Sequence, residues 1–292
     1  MSIRLETRRR GGILAGVDGS PRSLRAVEWA AAVAHDSDTR LTIGTVYPEP
    51  HSVPGYPSIA AADERRQRAE QIVRHAAEVA HDAAPTVAVR TVVAEGHPTE
   101  ELIARGHDCD LIVVGNHGER WMHRLFSGSV AAQVAAHASC PVAVVHGAAP
   151  SAGPIVVGVD GSPAAQGALG LAFRTADAES GTIRAIHSYQ IPTFAVDYTS
   201  AVMKEIVEYC RTEALDELTQ ALAPWIKKYP HVRVLSDSPS GPAGEILVEA
   251  SKSASVVIVG NRGLGGFRGL LLGSVSRYVV NAGQCPVLVF RE

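Results

Sequence analysis

Two stretches of this chain space their glycines in a way that suits a phosphate. Residues 110–129 read DLIVVGNHGERWMHRLFSGS and residues 255–274 read SVVIVGNRGLGGFRGLLLGS. Both carry Gly-x-x-Gly, nine residues and then Gly-Ser, on Gly115, Gly118, Gly128 and Ser129 in the first and on Gly260, Gly263, Gly273 and Ser274 in the second. Glycine lets a backbone approach an anion closely and take positive φ, so that main-chain N–H groups can point at it. A Gly-Ser at a helix start adds free N–H groups, the favourable end of the helix dipole and a hydroxyl donor. Arg262 supplies a cation before Gly263, where the first stretch has His117. The pattern predicts a nucleotide bound twice per chain.

Two carboxylates stand where such a ligand would end. ILAGVDGSP (13–21) returns as IVVGVDGSP (155–163), placing Asp18 and Asp160 just past short apolar runs. Each Asp precedes Gly and can shape a turn; each can also accept from ribose hydroxyls or an adenine amino group. Ser20 and Ser162, each followed by Pro, read as helix N-caps with Pro at the first helical position. Ser129 and Ser274 can cap the last helix of each half, a role compatible with phosphate binding.

The elements that must position these residues also repeat. The halves are offset by 142 residues at the Asp-Gly-Ser turns and by 145 from the glycine motif onward, where SCPVAVV (139–145) returns as QCPVLVF (284–290). GAAPSAGP (147–154) reads as the linker, giving domains 1–148 and 149–292. Apolar runs at 13–17, 41–47, 86–93, 111–115 and 141–145 alternate with helical spacing at 24–34, 61–84, 98–106 and 130–138. The second half follows the same order, with its second helix around 198–222. Such alternation predicts two α/β domains, each a five-stranded parallel sheet with helices on both faces.

Composition narrows the setting. With 46% hydrophobic and 20% charged residues the chain reads as globular, and a formal net charge of −3 gives no reason to expect nucleic acid. Arg8, Arg9 and Arg10 read as a solvated tail. The first ten residues lack an apolar core and no apolar run approaches about 18 residues, so a soluble cytoplasmic protein without a membrane segment is expected. Cys109, Cys140, Cys210 and Cys285 form no C-x-x-C pair, which fits a reducing compartment. His117, His123 and His137 have no ligand spacing and no matching histidines in the second half, so no protein-built metal site is expected.

Taken together, the strand ending in Val-Asp-Gly-Ser, the Gly-x-x-Gly-x9-Gly-Ser loop and the closing Cys-Pro-Val strand resemble the universal stress protein family in its tandem form, over roughly 13–146 and 155–290. The resemblance implies strand order 3-2-1-4-5 in each doubly wound domain and ATP as the ligand. With strands 1 and 4 side by side, a crevice opens at their carboxyl ends, where open α/β sheets bind ligands. Asp18, Gly115, Gly118, Gly128 and Ser129 would line the first site, and Asp160, Gly260, Arg262, Gly263, Gly273 and Ser274 the second. Mg²⁺ or Mn²⁺ would ride on the phosphates.

The two loops differ. Residues 264–272 (LGGFRGLLL) hold three more glycines and Arg268, whereas 119–127 (ERWMHRLFS) are bulky and begin with Glu119, so tighter binding is expected in the second domain. The leading reading is an ATP-binding module whose occupancy sets conformation or partner binding. An enzymatic alternative, slow ATP hydrolysis or phosphoryl transfer, needs a positioned base; the chain has no Walker sequence and its first domain no lysine. A scaffold alternative rests on the apolar terminal strands, 141–146 and 286–291, as sheet edges that would pair within the chain or in a homodimer. PEPHSVPGYPS (48–58) reads as a loop near the nucleotide mouth.

Overall fold

The computed structural model describes residues 3–4, 11–48, 59–116, 130–147, 153–191, 201–265 and 271–291. The chain divides into two compact units, Ser2–Ala148 and Ala149–Glu292. In the first unit the elements run β1 (Ile13–Gly16), α1 (Pro21–Asp36), β2 (Leu41–Tyr47), α2 (Ile59–Ala83), β3 (Val89–Glu95), α3 (Pro98–Arg105), a 3-10 turn at Gly106–Asp108, β4 (Leu111–Gly115), α4 (Val130–His137) and β5 (Val142–Val145). The second unit repeats them as β6 (Ile155–Gly158), α5 (Pro163–Glu179), β7 (Thr182–Ile186), α6 (Ala201–Lys228), β8 (Arg233–Asp237), α7 (Ala243–Ser251), β9 (Val256–Gly260), α8 (Ser274–Ala282) and β10 (Val287–Phe290).

Within each unit the pairing is parallel throughout. The order is β3-β2-β1-β4-β5 in the first and β8-β7-β6-β9-β10 in the second, so each has strand order 3-2-1-4-5. Register is shared as well: Ile13 lies opposite Leu41 and Leu111, and Ile155 opposite Ile183 and Val256. The carboxyl ends of the two middle strands therefore come level in both units. Strands buried on both faces have little use for alternation, and β1, β4 and β5 read as continuous apolar runs with Ile13, Leu111, Ile112, Val113 and Ala143 wholly buried. Helix α1 packs against α2 and α3 against α4, with α5/α6 and α7/α8 matching them, which places a helix pair on each face.

Two element boundaries depart from the sequence reading. Strand β3 begins at Val89 rather than at 86, because the Val87 N–H donates to the Ala84 carbonyl in a turn closing α2 and the Val87 side chain is buried there. Helix α6 runs to Lys228, through Pro224, rather than ending near 222. Proline forfeits a hydrogen bond in a helix interior. Here the last turn is held by packing: Trp225 and Tyr229 both stack on the fully buried Phe173, with centroids 6.1 and 6.0 Å away, and Trp225 Nε1–H donates to Gln166 Oε1 at 3.0 Å.

Cys109, Cys140 and Cys285 are buried, and Cys210 is partly exposed. Burial pushes the Cys285 thiol up to about 12, and burial together with the nearby Asp108 and Asp110 carboxylates pushes Cys109 up to about 11. Only the thiolate reacts with an alkylating agent. At pH 8 iodoacetamide is expected to modify Cys210 first in the native protein and all four thiols only in denaturant, as peptide mass spectrometry would show. A thiol that ionises near 9 when unfolded but stays protonated when folded stabilises the fold fully below about pH 9. That contribution is lost as pH rises toward 12, and Cys285→Ala is expected to flatten this alkaline loss.

Candidate functional site

Each unit builds the same turn at the carboxyl end of its first strand. In the second, the Asp160 Oδ1 accepts from the Ser162 N–H at 3.0 Å and from the Ser162 hydroxyl at 2.6 Å, while Ser162 Oγ accepts from the Ala165 N–H at 3.2 Å. In the first, Asp18 Oδ1 accepts from the Ser20 N–H at 3.0 Å and hydroxyl at 2.7 Å, and Ser20 Oγ accepts from the Ser23 N–H at 3.2 Å. Ser20 and Ser162 are thus the N-caps of α1 and α5, with Pro at the first helical position. Between each Asp and Ser stands a glycine with φ of +85° (Gly19) or +77° (Gly161), a conformation that side chains rarely adopt.

The turn-shaping role of the carboxylates is therefore real, and it employs one oxygen. In the second unit the other oxygen, Oδ2, lies so close to Gly263 that a Cβ there would overlap it. A further tie joins the segments, for Ser162 Oγ is 3.2 Å from the Arg262 carbonyl oxygen. The loop after β9 then folds back: the Gly273 N–H donates to the Asn261 carbonyl at 2.8 Å, and the buried Ser276 hydroxyl donates to the Gly260 carbonyl at 2.6 Å. Asp160, Gly260, Arg262, Gly263 and Gly273 are consequently gathered at one end of the sheet, with Ser274 opening α8 beside them.

Two details correct the sequence reading. Neither Gly115, Gly260, Gly263 nor Gly273 has positive φ; that conformation belongs to Gly19 and Gly161 in the Asp-Gly-Ser turns. The motif glycines instead permit close approach. A Cβ on Gly260 would come within 2.8 Å of Ala164, and one on Gly115 within 3.0 Å of the Arg22 backbone, both at the first turn of the helix after the first strand. Ser274 does not cap α8 either: Gly273 is the N-cap and brings no side chain to the first-turn N–H groups, which leaves them to be met from outside the helix. Gly118, Gly128, Ser129, Glu119, His117, His123 and Arg268 lie outside the described residues, as does most of 48–58.

A wall of the site that the sequence reading missed comes from the second helix of each unit. Helix α2 has 25 residues and spans about 37 Å at 1.5 Å per residue, far more than a strand of four to seven residues at about 3.3 Å each. It runs from the carboxyl end of β2 down to the start of β3. Ile72 touches Gly19, a Cβ on which would be 3.1 Å from Ile72 Cγ1, so the thirteen residues before Ile72 overhang the strand ends. Helix α6 does the same, held by His187 just past β7. The His187 Nε2 is 3.1 Å from Glu217 Oε2, and its Nδ1–H donates to the Val159 carbonyl at 2.7 Å. The signal available in the sequence was the length of the helical pattern.

Among the described residues no three His, Cys, Asp or Glu side chains gather in a way that could hold a metal ion, and no helix is long and apolar enough to cross a membrane.

The model of the universal stress protein family matches residues 10–146 and 152–291. The chain is 34% identical over 289 residues to a universal stress protein of Mycolicibacterium smegmatis, covering 96% of this chain and 97% of that one. It is 33% identical over 306 residues to one of Mycobacterium tuberculosis, covering 96% and 95%. A crystal structure of a universal stress protein from Archaeoglobus fulgidus matches 97% of both chains with a TM-score of 0.72 at 18% identity, a likeness of fold.

Proposed function

The chain belongs to the universal stress protein family, and from that premise we propose that it is a stress-response protein that binds ATP in each unit, with occupancy modulating conformation or partner binding. The observation that carries this reading is the convergence in the second unit. A carboxylate fixed by Ser162 stands against Gly263, and the uncapped start of α8 lies beside them. Oriented N–H groups at a helix start favour a phosphate, and a carboxylate at a strand end can accept from a ribose hydroxyl or an adenine amino group.

The residues present fit such a ligand. Gly263 leaves a place that a Cβ would fill, and Gly273 offers first-turn N–H groups without a competing side chain. In this reading Asp160 orients the nucleoside, Gly260 and Gly263 let the backbone close on it, and Ser274 and Arg262 meet phosphate oxygens. Asp18 and Gly115 take the corresponding roles in the first unit, with Gly118, Gly128 and Ser129 completing it. Mg²⁺ or Mn²⁺ would enter on the phosphates rather than in a cage of side chains.

The test is to denature freshly purified protein and to identify and count the released nucleotide by liquid chromatography with mass spectrometry. About two ATP per chain is the expected result by the phosphate-loop argument; about one supports filling of the second unit alone. Recovery of ADP would favour slow hydrolysis. Protein that is empty and also fails to take up added ATP with magnesium would overturn the proposal.

A further inference from the structure

We propose that Arg65 is an anion-binding residue of the first unit, placed to hold a phosphate of the nucleotide through the Nε–Nη2 edge of its guanidinium; the proposal rests on the nucleotide-binding reading above. Arg65 sits on the overhanging part of α2. The buried stripe of that helix runs through Ala69, Val73, Ala76 and Ala80, and Arg65 continues it one turn beyond Ala69. Seven residues, about 10 Å of helix, separate it from Ile72 and hence from the Gly19 turn. It therefore stands over the carboxyl ends of the strands. Of residues 63–68 it alone is not exposed.

Two of its three guanidinium nitrogens are unmet. Nε and Nη2 are out of solvent, and neither has a hydrogen-bond partner. The helix offers none: the residues three and four positions away are Ala61, Ala62, Arg68 and Ala69, and the nearby Glu70 pairs with Arg66 at 3.1 Å. A guanidinium does not escape burial by losing its proton, so an unpaired one is costly until an anion meets it. Nε and Nη2 lie on the same edge of the fork, which matches two oxygens of one phosphoryl group. An independent unmet atom lies at the same end of the unit. Asn116 Oδ1, just past β4, is buried without a partner and is an acceptor, complementary to a hydroxyl or amino group of the same ligand. Helices α2 and α6 end 145 residues apart, at Ala83 and Lys228, which puts Cys210 at the place in α6 that corresponds to Arg65, so the cation is particular to the first unit.

The full chain and its Arg65→Gln and Arg65→Met variants would be titrated calorimetrically with ATP, adenosine and inorganic phosphate. We expect the wild type to fill two ATP sites and each variant to weaken one of them about 10- to 100-fold, with adenosine binding unchanged. Removal of two buried, unmet donor groups is also expected to raise the ligand-free unfolding temperature of the first unit in Arg65→Met. ATP isotherms identical to wild type, an equal loss for adenosine, or a lowered ligand-free unfolding temperature would each overturn the proposal while leaving the nucleotide reading standing. Phosphate bound as tightly as ATP and lost in the variants would show an adventitious ion only. A wild type that binds no nucleotide would overturn both.

Discussion

Gly263→Ala weakens ATP binding at the second unit by about 10- to 100-fold, which is about 1.4–2.8 kcal/mol, and leaves the first unit unchanged: that is the result expected from the contact between Gly263 and Asp160. A methyl group there overlaps Asp160 Oδ2. A carboxylate end can often swing away from such an overlap, but this one is anchored, because its other oxygen takes both the N–H and the hydroxyl of Ser162. Either those bonds break or the loop lifts from the strand end, and both outcomes disturb the residues assigned to the ligand. Calorimetric titration of the variant checks the loss, and a double-mutant cycle locates it. In an Asp160→Ala background the added methyl has nothing to overlap, so Gly263→Ala should cost almost nothing more. Equal penalties in both backgrounds would place the effect elsewhere.

Phe173→Ala is expected to destabilise the second unit by about 3–5 kcal/mol, the range for deleting a fully buried phenyl ring. Among the described residues Phe173 is the largest fully buried side chain, and it carries Trp225 and Tyr229 on its ring. The first unit has Ala31 at the corresponding place in α1, so only the second unit's transition should move in calorimetric or urea unfolding. Gly170 supplies a reversed sign within the same cluster. Glycine to alanine in a helix interior ordinarily gains about 1 kcal/mol. At this position a Cβ would be 2.5 Å from Trp225 Cη2, and Gly170→Ala is expected to lower stability instead.

The strands most legible in the sequence were those with nothing else to do. LTIGTVY and LIVVG became β2 and β4 at the boundaries their apolar runs suggest, because burial on both faces leaves one solution for such a run. Boundaries set by tertiary contact were not legible: Val87 looks like strand but plugs a turn, and Pro224 looks like a stop but is carried by Trp225. The site shows the same division. Glycine spacing located the crevice, yet the conformational reason for each glycine depended on which segment arrived opposite, a carboxylate at Gly263 and a helix start at Gly260. Arg65 was invisible among the arginines of α2, since a sequence does not say which of them lies under cover. The clue was the lack of an acidic residue three or four positions away.

The strand order has a consequence for how the chain is made. In each unit the first strand is the middle one, and its second neighbour arrives last but one: Ile13 waits for Leu111, and Ile155 waits for Val256. At about 5–20 residues per second on the ribosome, roughly 5–20 s pass in which β1 has at most one side covered. A nascent sheet with an open apolar edge is the species that chaperones recognise and that aggregates when they are scarce. The first unit's five strands have all been synthesised once Val145 emerges, before Ile155 begins the second. A protein of this design meets its most exposed moment twice during its own synthesis, once for each unit.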